Sequence, residues 1–80
     1  MNRESIRAAV LDALAEVAPE ADLGQLAPDA ELRDVLDIDS MDFLRFVQRL
    51  AAATGIAVPE SQYAQLATLD GVISYLTARS

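Results

Sequence analysis

Apolar residues recur along the first segment at helical spacing. Between Arg3 and Val17, the positions Ile6, Val10, Ala13, Leu14 and Val17 fall three or four apart, while Arg3, Arg7, Asp12 and Glu16 lie mostly off that stripe. This predicts an amphipathic helix with Asn2 as its N-cap and Pro19 at or just past its end. No stripe crosses residues 18–38, where Pro19, Gly24 and Pro28 interrupt the chain. Leu23, Leu26, Leu32, Val35, Leu36 and Ile38 are nevertheless spread through this connection. It is therefore expected to pack over the core, with room for one turn of helix around Ala30 to Leu36.

A second main helix is predicted from Asp39 or Ser40 to about Ala53. Asp39 is its N-cap, Asp42 completes a capping-box-like start, and Gly55 supplies the stop. Phe46, Val47 and Leu50 form its core stripe, with Phe43 at the edge. Ile56-Ala57-Val58 reads as a brief extended link, and Pro59 suits the first turn of a short helix over about Glu60 to Gln65. Thr68 caps a last helix, Leu69 to Ala78, which turns Leu69, Val72, Ile73 and Leu76 inward. Gly71 is the weak point of that helix, at a cost of roughly 1 kcal/mol. The expected fold is all-α, a small antiparallel bundle with three main helices, one short helix and a long first loop. It forms a single domain over residues 1–80.

Composition narrows the function. The 80 residues include no Cys and no His. There is thus no thiol nucleophile, no imidazole base and no ligand set for a structural zinc site. Thirteen acidic residues against six basic ones leave a formal net charge of −7, which repels nucleic-acid backbones and anionic membrane surfaces. Partners are expected to be proteins with basic patches. Glu4 and Asp12 break any apolar run near the N-terminus, and no stretch is long enough to span a membrane. A cytoplasmic monomer that neither binds nucleic acid nor inserts into membranes is the expectation.

The informative stretch is Leu36-Asp37-Ile38-Asp39-Ser40-Met41-Asp42-Phe43-Leu44. It places one serine at the junction of the long loop and a strongly predicted helix. A side chain there projects beside unpaired backbone N–H groups, which favour an attached phosphate. Asp37, Asp39 and Asp42 oppose that charge in part.

At this point the chain resembles the acyl carrier protein family. Asp39-Ser40-Met41-Asp42 is similar to the family's Asp-Ser-Leu motif, with Met in place of Leu. Ile56-Ala57-Val58-Pro59 resembles its apolar residue before proline, and Ala67-Thr68-Leu69-Asp70-Gly71-Val72 its closing helix start. The resemblance covers most of the chain, and the motif's register in a chain of this length makes it specific. It implies that a phosphopantetheinyl transferase attaches 4'-phosphopantetheine from coenzyme A to Ser40. Acyl groups would then ride as thioesters on a thiol that this chain lacks. Asp39 would help position the serine and the transferase's magnesium. The carrier catalyses nothing itself. It delivers its cargo among acyl-activating, acyl-transferring or condensing enzymes.

Two departures stand out. The family's glycine two positions before the motif's Asp is Asp37 here, at a place that calls for a tight turn; Asp tolerates positive φ better than most residues. The recognition helix, normally rich in Glu, carries instead Met41, Leu44, Arg45, Gln48 and Arg49 on its expected outer face, with Asp42 near its start. After Asp42 its charges are two arginines, and the acidic residues sit in the preceding loop. These six residues are the expected docking set, and their charge points to dedicated partners outside housekeeping fatty-acid synthesis. The alternative is that Arg45 and Arg49 are solvated or pair with loop carboxylates, for about 0–1 kcal/mol each. Phe43 and Phe46 are expected to narrow any shelter for a long acyl chain.

Competing readings fare less well. Counted from Asp37, an EF-hand would need Gly at Asp42 and Glu at Gln48. A hydrolase would need a base beside Ser40. An aminoacyl or peptidyl carrier usually shows glycines just before its serine, where this chain has Ile38 and Asp39. An unmodified helical docking module is the remaining rival, and it predicts no prosthetic group.

Overall fold

The computed structural model describes residues Met1–Ser80. Its regular structure is helical: α1 (Arg3–Val17), α2 (Leu32–Val35), α3 (Ser40–Thr54) and α4 (Leu69–Arg79), with 3-10 turns at Leu23–Gln25 and Glu60–Leu66. The three long helices and the long first loop match the expected architecture. The loop also contains the expected turn of helix, α2.

Each long helix begins in the same way. The Asn2, Asp39 and Thr68 side chains accept the backbone N–H of Ser5, Asp42 and Gly71 at 2.8, 2.8 and 3.0 Å. These bonds satisfy donors that a helix leaves orphaned at its start. Gly55 ends α3 in the left-handed region at φ 72°. Pro59 precedes the Glu60–Leu66 turn as its cap and is not part of its first turn; its extended ψ of 150° carries the incoming link.

The core collects the stripes read from the sequence. Ile6, Val10 and Leu14 from α1 meet Phe46, Val47 and Leu50 from α3, and Leu69, Val72, Ile73 and Leu76 from α4. Phe43 is buried with them, no longer at an edge. Leu32 and Ile38 of the long loop join the core as expected, and two residues not expected there join it too: Leu66 from the 3-10 turn, and Tyr75, whose ring is covered by the Arg79 guanidinium at 3.6 Å. Val35 corrects the expectation for the long loop, because it is 57% exposed. A single turn of helix has one inward side, and Leu32 takes it.

The long loop is tied down through the start of α4. Leu32 N–H donates to Ala67 C=O at 2.8 Å, and Asp70 N–H to Pro28 C=O at 2.9 Å. Gly71 lets the start of α4 pack closely on the Glu60–Leu66 turn, since a Cβ there would stand 2.6 Å from the Gln65 carbonyl oxygen. With the loop anchored, α2 holds a fixed place from which the chain turns into α3.

Candidate functional site

The turn from α2 to α3 is a Schellman motif. Ile38 N–H reaches back to Arg33 C=O at 3.2 Å and Asp37 N–H to Asp34 C=O at 3.4 Å, with Asp37 between them at φ 53°. The expected tight turn with positive φ at Asp37 is therefore present. Ile38 then inserts into the core, which fixes where Asp39 and Ser40 emerge.

Ser40 is the first residue of α3 and is exposed, as is Asp39. The cap bond is made by Asp39, so the Ser40 hydroxyl is not spent on capping. Asp42 does not complete a capping box. Its carboxylate turns outward to accept a hydrogen bond from Arg45 at 3.3 Å. What meets Ser40 instead is a residue that the sequence reading passed over: Arg33 Nη2 donates to Ser40 Oγ at 2.9 Å. The same guanidinium lies 5.8 Å from the centroid of the Phe43 ring. Its signal in the sequence was a lone cation in the acidic run from Asp29 to Asp42.

The expected docking residues divide between two places. Met41, 69% exposed, and Leu44 line a cleft of about 370 Å³ beside Ser40, closed on its other side by Glu60 and Tyr63. Arg45, Gln48 and Arg49 instead face the seam with α1, together with Glu16 and Val17. Arg49 is paired there with Glu16 at 2.9 Å. Neither arginine pairs with a carboxylate of the long loop; their partners lie on α3 and α1.

An exposed hydroxyl on a capped helix start suits covalent attachment of a phosphate-linked group. The sequence profile of the family described as "Phosphopantetheine attachment site" matches residues 8–76. The chain belongs to the phosphopantetheine-binding carrier family. Relatives cover nearly the whole chain. An acyl carrier protein of Rubrobacter xylanophilus is 25% identical over 95% of this chain and 93% of its own. Polyketide-8 synthase acyl carrier protein 2 of Streptomyces avermitilis is 27% identical over 99% of this chain and 85% of its own. An acyl carrier protein of Thermobifida fusca is 30% identical over 84% of this chain and 89% of its own. The prosthetic group implied by the family is 4'-phosphopantetheine, and carriers of this kind work with partner enzymes and do not catalyse. No helix of the carrier is long and apolar enough to cross a membrane.

Proposed function

We propose that Ser40 bears the phosphopantetheine and that the protein is an acyl carrier for a dedicated biosynthetic pathway. The observation that carries this reading is the open Ser40 hydroxyl at the first position of α3, held there by the Asp37 turn and the Asp39 cap. The group fits this chain. The serine oxygen is open to a visiting transferase, nothing in the core must move to reach it, and the arm would bring a thiol, which this Cys-free chain lacks. When attached, phosphopantetheine supplies that thiol as the point of thioester attachment. The chain's own residues present the oxygen: Asp39 orients the helix start, Arg33 holds the hydroxyl, and Met41 and Leu44 offer an apolar landing surface next to it.

The proposal is tested by intact mass after incubation with coenzyme A and a broad-specificity transferase. Wild-type protein gains one phosphopantetheine, and Ser40→Ala gains none while keeping its helical content. An unmodified wild type, or a variant still modified, rejects the assignment.

The dedicated pathway rests on the lack of Glu along α3, whose two arginines are paired with Asp42 and Glu16, and on the Streptomyces relative, whose name places it with a polyketide synthase. Arg45→Glu is the cleaner charge reversal, since its partner Asp42 lies on the same helix and Arg49 also ties α3 to α1. This variant is expected to slow acyl transfer from the native partner enzyme and to leave stability within about 0.5 kcal/mol. An unchanged transfer rate removes the charge argument. Cargo is proposed to be short or polar, because Phe43 stands in the wall of the cleft beside Ser40 and packs against Phe46, which is fully buried. Chemical shifts that progress into the core as acyl chains lengthen would contradict that.

A further inference from the structure

We propose that Arg33 is the phosphate-holding residue of this carrier, pairing with the phosphodiester once Ser40 is loaded. The inference rests on Ser40 being the attachment point. Three observations carry it. Arg33 Nη2 already donates to the oxygen that would become the ester oxygen, at 2.9 Å. Phosphorus bonded to that oxygen brings its free oxygens within reach of the same guanidinium, whose planar fork matches phosphate geometry.

The second observation is that Arg33 is uncommitted. The three ion pairs of the molecule are Arg3–Asp70, Arg45–Asp42 and Arg49–Glu16. Arg33 stands amid Glu31, Asp34, Asp37 and Asp39 in the sequence, yet it pairs with none of them and points at a neutral hydroxyl. The third is local charge. A phosphodiester on Ser40 adds a negative charge beside the Asp39 and Asp42 carboxylates, and Arg45 is already bound to Asp42. Without a counter-charge, loading would weaken this corner through like-charge repulsion. The Phe43 ring beneath the guanidinium helps to hold its plane over the site.

The test starts from wild-type protein loaded with coenzyme A and a broad-specificity transferase, with attachment at Ser40 verified by mass. Arginine side-chain nitrogen spectra are then compared before and after loading. The Arg33 Nε–H signal is expected to move, while those of Arg3 and Arg7 stay in place. An unmoved Arg33 signal in fully loaded protein overturns the proposal. A wild type that takes up no mass overturns instead the Ser40 assignment beneath it. Melting temperatures of apo and loaded forms give a second readout. Loading should leave the wild type unchanged or more stable, lower Arg33→Gln by about 4 °C, and lower Arg33→Lys by less. A purely structural Arg33 would shift apo and loaded forms of Arg33→Gln equally, and that result also overturns the proposal. Should Arg33→Gln fold but resist loading, the wild-type spectra decide.

Discussion

The starts of α3 and α4 are built alike and end up with opposite properties. Each has a side-chain cap reaching the N–H three residues on, Asp39 to Asp42 at 2.8 Å and Thr68 to Gly71 at 3.0 Å. Each has an arginine nearby. Arg3 is neutralised by the Asp70 carboxylate at 2.9 Å, whereas Arg33 holds only the Ser40 hydroxyl. The first helical residue differs most. At α3 it is the exposed Ser40; at α4 it is Leu69, 1% exposed and part of the core. The α4 start is also covered by the long loop through Asp70 and Ala67. A helix start is therefore not a site in itself. What occupies its first position, and what lies over it, decides whether it anchors the fold or offers a hydroxyl to another protein.

The largest expected effect separates these two first positions. Leu69→Ala removes a buried side chain where α4 meets the core, and should cost about 2–5 kcal/mol in denaturant unfolding. Ser40→Ala removes an exposed hydroxyl, and its cost should stay within about 0.5 kcal/mol. Comparable losses at both sites would mean that the α3 start is packed more tightly than its exposure indicates.

A smaller pair of changes asks whether the two caps differ in role. Thr68→Ala and Asp39→Ala each delete one capping bond and should each cost about 1 kcal/mol. Under the proposed function they part company in modification. Asp39→Ala slows transferase loading of Ser40, and Thr68→Ala leaves it unchanged. Equal loading rates in the two variants would reduce Asp39 to a structural cap.

Much of this contrast was legible in the sequence. The three caps were, because Asn, Asp and Thr stood just ahead of apolar stripes of helical spacing. So were the turn at Asp37 and the inward stripes of α1, α3 and α4. Tyr75 was readable but missed: it lies three residues after Val72, on the inward side, and its polar ring end hid that it belongs with the core. Val35 and Arg33 were not readable from periodicity. One turn of helix is too short to reveal which side faces inward, and Arg33 meets Ser40 only after a Schellman turn folds α2 back on α3. The cap on Ser40's helix was local chemistry, while its hydrogen-bond partner was a product of the tertiary turn.

The finest test concerns how each helix start is aimed. The α4 start is aimed by close backbone contact, with Gly71 against the Gln65 carbonyl. The α3 start is aimed by one strained residue, Asp37 at φ 53°, whose carboxylate makes no hydrogen bond of its own. Left-handed backbone costs a non-glycine residue about 1–2 kcal/mol, and Asp bears it better than most. Asp37→Gly relieves that strain but loosens the unfolded chain, so a net gain of about 0.5 kcal/mol is expected. Asp37→Ala keeps the strain without a polar side chain and should lose stability. Asp37→Asn separates charge from backbone, since it removes one of the site's crowded carboxylates while tolerating the same φ. Thermal melts should therefore rank Gly and Asn above Asp, and Asp above Ala. If Ala instead matches Gly, repulsion among Asp34, Asp37 and Asp39 outweighs backbone strain as the cost of this turn. The α3 start would then be limited by its charges, in contrast to the α4 start, which is limited by its packing.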